Sequence, residues 1–227
     1  MIPLRDTIPS QRTAWIVRLL VAANLALFVV EILQGLELES FLYRFGVVPA
    51  YWASGGLADL AQWPGLFLSL LTTQFLHGSP LHLGSNMLYL WIFGDNVEDR
   101  LGHAGFLLLY LGSGAVAALI QLLSAPSSSI PMIGASGAIA GVLGAYFLLF
   151  PYAQVVTLVP WFLVWKVVRI PAFVFLGIWF ILQWLQGLVT IGQMAETGGV
   201  AWWAHVGGFL CGLALVLTRR ARHRRAG

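Results

Sequence analysis

A serine and a histidine in glycine-rich surroundings are the residues of this chain best suited to chemistry. Ser136 lies in the segment GASG at positions 134–137, and His205 lies in the segment WWAHVGG at positions 202–208. A serine at a helix N-terminus can act as a nucleophile, because free backbone N–H groups there can stabilise an oxyanion. Imidazole exchanges protons near neutral pH and therefore suits the role of general base. The alternative for both segments is a face of small residues that allows tight helix packing.

Two further polar residues, His82 and Asn86, are spaced i, i+4 and therefore project from one face of a helix. Side-chain N–H donors of these kinds can stabilise an oxyanion during acyl transfer. The alternative is a metal site that uses His77, His82 and His205. The sequence contains no His-Glu-x-x-His motif, and no carboxylate lies beside these histidines, so we expect no metal and no cofactor.

The composition places these residues in a membrane. Of the 227 residues, 59% are apolar and only 9% are charged, whereas soluble domains carry about a quarter charged residues. This excludes an ordinary soluble enzyme, a disordered chain and a nucleic-acid binder. The 12 basic residues outnumber the 9 acidic ones and cluster near the two ends, which indicates membrane orientation rather than a polyanionic partner.

Six apolar segments predict an all-α polytopic protein with six transmembrane helices in a single membrane domain over residues 1–227. The predicted spans are 14–33, 79–93, 104–123, 132–150, 171–189 and 200–218. The first segment also resembles a signal peptide, but its length favours a retained span. We expect a long loop over residues 36–64 and an interfacial stretch over residues 151–169. Residues 1–13 and the basic tail 219–227 are expected to be cytoplasmic.

The basic residues predict the orientation of the spans. With both termini in the cytoplasm, all 12 basic residues except Arg44 lie on the inside. The second, fourth and sixth spans then run inwards, so that His82, Asn86, Ser136 and His205 share one layer about 5–12 Å below the outer surface. Polar groups inside a bilayer are costly and usually functional. Their convergence therefore predicts an active site that opens to the outside.

The positions of the acidic residues indicate whether the active site is a triad or a dyad. Glu31 is the only acid within a predicted span, and it lies in the first one. A serine triad needs a buried carboxylate that orients the histidine, and no acid has a suitable predicted position. We therefore expect Ser136 and His205 to act as a dyad.

The chain resembles the rhomboid intramembrane serine proteases, in their compact six-span bacterial form, over residues 41–212. The resemblance rests on four motifs in order: His82-x-x-x-Asn86, the turn VEDRLG at 97–102, Gly134-Ala135-Ser136-Gly137 and Ala204-His205-x-x-Gly208-x-x-x-Gly212. Two positions depart from the family pattern. Ala140 stands where many members have an aromatic residue, and Tyr43-Arg44 stands where a Trp-Arg pair is usual.

The resemblance implies Ser136 as the nucleophile, His205 as the base, and an oxyanion hole made by His82, Asn86 and the Ser136 backbone N–H. It implies that Gly134 and Gly137 keep the nucleophile's surroundings open, and small residues such as Gly208 and Gly212 suit close helix packing. The implied substrates are single-span membrane proteins, cut near the outer end of their helix. The fifth-span aromatics are candidates for a lateral substrate gate, with packing or lipid contact as the alternative: Trp179, Phe180 and Trp184. The loop 190–199 is a candidate cap over the site.

Two other classes of function fit the same features. A catalytically silent binder would hold transmembrane clients in the same bundle and would keep its function in Ser136→Ala. A transporter would use His82, Asn86 and His205 as a proton path, but it would lack a buried carboxylate partner. We expect transmembrane substrates and the lipid bilayer as partners, no nucleic acid, and a multi-pass location in the plasma membrane, with a bacterial inner membrane favoured. The oligomeric state stays open.

Overall fold

The computed structural model describes residues 1–53, 63–162, 164–190 and 200–226, and within them the chain is mainly helical. In chain order the elements are β1 (Ile2–Asp6), α1 (Trp15–Leu33), α2 (Leu38–Phe45), α3 (Pro49–Tyr51), α4 (Trp63–Thr72), α5 (Pro80–Leu101), α6 (His103–Ser124), α7 (Ser136–Leu149), β2 (Gln154–Trp161), β3 (Val164–Pro171), α8 (Ala172–Val189) and α9 (Trp202–Ala226). The predicted loop at 36–64 is therefore partly helical, because α2 and α3 lie within it and α4 begins near its end.

Three of the described helices, α1, α6 and α8, are long and apolar enough to cross a membrane. The predicted fourth span begins only at Ser136, and the sixth continues as helix through most of the predicted tail. Helix α7 has 14 residues and a length of about 21 Å, less than the ~30 Å hydrocarbon core of a bilayer. Helix α7 alone is therefore too short to cross a bilayer, and residues 131–135 before it are non-helical.

A three-stranded antiparallel sheet corrects the prediction of an all-α protein. Its order is β1-β2-β3. The hairpin of β2 and β3 replaces most of the predicted interfacial stretch at 151–169, and the N-terminal strand pairs with it from Ile2↔Leu158 to Asp6↔Val155. Valine is the commonest residue of these two strands, and its branched side chain favours a pleated strand. The pairing with β1 joins segments far apart in sequence, which no local pattern reveals.

One end of the helix bundle gathers the sheet and several charged side chains. Glu98 of α5 accepts hydrogen bonds at 2.8 and 2.9 Å from two backbone N–H groups in the first turn of α1. Asp6 of β1 accepts hydrogen bonds from the Tyr146 hydroxyl at 2.5 Å and from the Asn96 amide at 2.8 Å. Arg219 of α9 donates to the carbonyl that ends α5, at 3.2 Å. These contacts tie β1, α1, α5, α7 and α9 together at this end.

Helices α7 and α9 pack with their backbones in contact. A Cβ atom added to Gly208 would lie 2.1 Å from the Gly137 carbonyl oxygen, and one added to Gly212 would lie 1.9 Å from the Gly141 carbonyl oxygen. No side chain fits at either position, so the close approach requires glycine. This packing sets the N-terminal ends of the two helices side by side, at the end of the bundle opposite the sheet.

Candidate active site

Ser136 begins α7 directly after a half-buried, non-helical segment. Gly134 adopts φ +131°, which favours glycine, and its N–H donates to the Thr73 carbonyl at 2.9 Å. The Thr73 hydroxyl in turn donates to the Met132 carbonyl. These bonds satisfy backbone groups that no helix pairs. The result is a serine hydroxyl at a helix N-terminus, where the first backbone N–H groups have no partner within the helix.

The serine hydroxyl and the histidine of the sequence prediction are in hydrogen-bond contact. Ser136 Oγ lies 2.8 Å from His205 Nε2, and His205, from the first turn of α9, is 8% exposed. The ring centroids of His205 and Trp179 are 5.9 Å apart with an interplanar angle of 35°. Trp179 therefore packs against the imidazole, whose Nε2 edge is turned toward the hydroxyl.

The other imidazole nitrogen has a partner that the sequence analysis missed. His205 Nδ1 lies 2.6 Å from Gln183 Oε1, and Gln183 on α8 is 9% exposed. The sequence signal that could have indicated this contact is a glutamine within an apolar helix, where a polar side chain needs a partner on another helix. Nothing in the periodicity of α8 indicates which neighbouring helix supplies it.

The two predicted oxyanion donors lie on the first two turns of α5, beside the serine. Asn86 is 6% exposed, and its Nδ2 has no hydrogen-bond partner among the described residues. His82 packs against the loop before Ser136, because a Cβ atom on Gly134 would lie 2.8 Å from His82 Cε1 and 3.0 Å from Nε2. A buried amide donor without a partner costs free energy. This arrangement leaves the Asn86 N–H group available to a bound acceptor.

These side chains line one cavity of about 760 Å³. Its lining residues are Ser79, Leu81, His82, Ser85, Asn86, Tyr89, Pro131, Met132, Ile133, Ser136, Ile139, Leu143, Trp179, Val200, Ala201 and His205. The lining is mainly apolar, with a few polar groups that converge near Ser136, as is typical of a binding site for an apolar ligand.

The three candidate gate residues have different positions. Trp179 lines the cavity, Phe180 packs on Phe209 with ring centroids 4.7 Å apart, and Trp184 is 45% exposed on the protein surface. The structure thus brings one of the three to the site. Apart from Thr190, the candidate cap at 190–199 lies outside the described residues.

Glu31, the acid singled out in the first span, is placed away from His205. It is 1% exposed, and its two carboxylate oxygens accept from the His77 backbone N–H at 3.1 and 3.2 Å. The His77 ring is also buried, and its centroid lies 5.2 Å from that of His82. Glu31 therefore anchors the chain that leads into α5, and through it the segment that carries His82.

Residues 64–222 match the family model of the Rhomboid domain. The chain is 38% identical over 96 residues to Rhomboid protein 1, mitochondrial, of Saccharomyces cerevisiae, which covers 40% of this chain and 28% of the yeast protein. It is 36% identical over 121 residues to Rhomboid protease GluP of Bacillus subtilis, a match that covers 53% of this chain and 22% of that protease. It is 27% identical over 152 residues to the human presenilin-associated rhomboid-like protein, mitochondrial, a match that covers 63% of this chain and 36% of the human protein. The chain thus spans less than half the length of each of these relatives.

Proposed function

Because this chain belongs to the rhomboid family of membrane proteins, which includes relatives named as proteases, we propose that it is an intramembrane serine endopeptidase. Its substrates are single-span membrane proteins, and it cleaves them near the outer end of the transmembrane helix. The observation that supports this most is the 2.8 Å contact between Ser136 Oγ and His205 Nε2. That contact opens onto a mainly apolar cavity that Asn86 also lines.

In the proposed acylation step, Ser136 Oγ attacks the carbonyl carbon of the peptide bond while His205 Nε2 takes the hydroxyl proton. The carbonyl oxygen becomes an oxyanion and accepts hydrogen bonds from Asn86 Nδ2, His82 and the Ser136 backbone N–H. His205 then gives its proton to the leaving nitrogen as the C–N bond breaks. An ester of Ser136 and a free amine result.

Deacylation repeats these events with water in place of the serine. His205 Nε2 takes a proton from water as its oxygen attacks the ester carbonyl. The bond to Ser136 Oγ then breaks, and the hydroxyl regains its proton from His205. The substrate helix must unwind around the cut, because the carbonyls of an intact helix are already hydrogen-bonded and shielded.

The proposed topology puts both termini and the sheet in the cytoplasm, within a single membrane domain over residues 1–227. Six helices then span the bilayer: α1, α5, α6, α7, α8 and α9. In its support, Arg100, Lys166 and Arg219 lie on elements that meet at the sheet end of the bundle, as the positive-inside pattern requires. The cavity then opens to the extracytoplasmic side of a plasma membrane, in a bacterial cell the inner membrane.

The test is cleavage of a model single-span substrate by purified protein in liposomes. Wild type is compared with Ser136→Ala and His205→Ala, and with Ser85→Ala as the control, because Ser85 lines the same cavity but has no proposed role in the reaction. We expect cleavage by wild type and the control and none by the other two variants. Cleavage that survives Ser136→Ala would refute the serine mechanism. Client binding without cleavage in wild type would instead indicate the silent binder.

A further inference from the structure

We propose that Gln183 is a positioning residue that holds His205 in the tautomer and orientation needed to act as a base on Ser136. The inference rests on the proposed function and adds a third member, on α8, to the serine–histidine pair. The arrangement then is Ser136–His205–Gln183, with a neutral amide at the place where a serine triad has a carboxylate.

The argument begins with the proton on the imidazole. Gln183 faces the imidazole with Oε1, which carries no hydrogen and can only accept, so in this orientation of the amide the 2.6 Å contact places the proton on His205 Nδ1. A neutral imidazole has one N–H, so Nε2 then presents its lone pair to Ser136 Oγ, 2.8 Å away. The opposite tautomer would set two lone pairs against each other between Nδ1 and Oε1. Gln183 therefore selects the form of His205 that can accept the serine proton.

Burial makes this selection strong. Gln183 and His205 are 9% and 8% exposed, so little solvent reaches the contact to replace either partner. A hydrogen bond in such surroundings gains electrostatic strength, and the loss of one partner leaves the other unsatisfied. An amide also avoids the free-energy cost of an isolated carboxylate at this depth.

The side chain is held in place by a face of α8 that packs against α9. Trp179, Gln183 and Gly187 recur every four residues and therefore lie along one face of the helix. Trp179 packs on the His205 ring, with centroids 5.9 Å apart. The Gly187 carbonyl accepts from Trp203 Nε1 at 3.2 Å. Contacts one turn before and one turn after Gln183 thus fix the position of α8 relative to α9. The amide of Gln183 is therefore held in direct contact with the imidazole of His205.

Steady-state cleavage of the model substrate as a function of pH tests the role. Gln183→Leu removes the acceptor, Gln183→Glu keeps an acceptor of the same length, and Gln186→Leu is the control, because Gln186 is exposed on the same helix. We expect kcat of Gln183→Leu to fall about 10–100-fold with KM within twofold, a smaller loss than the ~10⁴-fold cost of disabling a triad carboxylate. Gln186→Leu should equal wild type.

Gln183→Glu separates positioning from packing. We expect it to restore most of the lost kcat and to move the acidic limb of the kcat/KM profile to higher pH, because a carboxylate stabilises the imidazolium. Wild-type kcat in a folded Gln183→Leu would overturn the inference. The inference is also overturned if Gln183→Glu is as impaired as a folded Gln183→Leu. If Gln183→Leu does not fold, the pH profile of Gln183→Glu is compared with that of wild type, and an unmoved acidic limb would overturn the inference. Equal rates for wild type and Ser136→Ala would instead overturn the proposed function.

Discussion

Replacing Gly208 by alanine should separate the serine from the histidine without touching either residue. The added Cβ would lie 2.1 Å from the Gly137 carbonyl oxygen, and contacts under 3.0 Å are essentially never seen. Helices α7 and α9 must therefore part by about 0.9 Å beside the active site. The Ser136 Oγ–His205 Nε2 distance, now 2.8 Å, would grow to about 3.7 Å, beyond the hydrogen-bond range. A misplacement of about 1 Å can reduce a rate about 100-fold.

The assay is kcat for cleavage of the model substrate, with thermal unfolding in detergent to confirm that the variant is folded. We expect a loss of about 100-fold in kcat and a destabilisation of about 1–3 kcal/mol from overpacking. Gly112→Ala is the matched control, because a Cβ at Gly112 on α6 meets no atom within 4 Å. A folded Gly208→Ala that cleaves within threefold of wild type would show that backbone contact between α7 and α9 does not set the catalytic distance.

Three further predictions follow from single side chains. Asn86→Ala should lower kcat about 100–1,000-fold with little change in KM, because its unpaired N–H acts on the oxyanion; an equal rise in KM would point to substrate binding instead. Glu31→Leu should lower the free energy of unfolding in denaturant by about 1–3 kcal/mol, because the buried His77 N–H loses its acceptor. Glu31→Gln keeps an acceptor and should lower it less. Burial raises the pKa of Asp6 although the Tyr146 hydroxyl bond opposes it. The protonated carboxyl therefore stabilises the fold below the unfolded pKa of about 3.9, and this contribution is lost as the pH rises through the folded value. In thermal scans, the Tm of Asp6→Asn should rise relative to the Tm of wild type as the pH increases from about 4. A Tm difference that does not change with pH would contradict this.

The grouping of the polar residues was predictable from the proposed membrane topology. Once the basic residues orient the spans, residues near the outer ends of three inward-running helices must lie at similar depth. That reasoning predicts that His82, Asn86, Ser136 and His205 converge, and the structure places all four on one cavity. The glycines at 208 and 212 also indicated close packing in the sequence, since small residues four apart form a helix face.

The sheet and Gln183 were not predictable by the same reasoning. Strand β1 pairs with a hairpin at the far side of four long helices in sequence, and such non-local pairing leaves no periodic mark on either segment. Gln183 is one of two glutamines in the apolar helix α8, and its partner depends on how α8 is rotated against α9. Side-chain packing between helices decides that rotation, and the sequence of α8 alone does not contain it.

The most direct test of the central claim is peptide-level mass spectrometry after reaction with a fluorophosphonate, which reacts with activated serines. In wild type we expect one adduct on Ser136 and none on Ser79 or Ser85, which line the same cavity. In His205→Ala the rate of labelling at Ser136 should fall at least 100-fold, because no base removes the hydroxyl proton. Labelling of Ser136 at equal rates in the two proteins, or labelling of another cavity serine in its place, would contradict a serine nucleophile activated by His205.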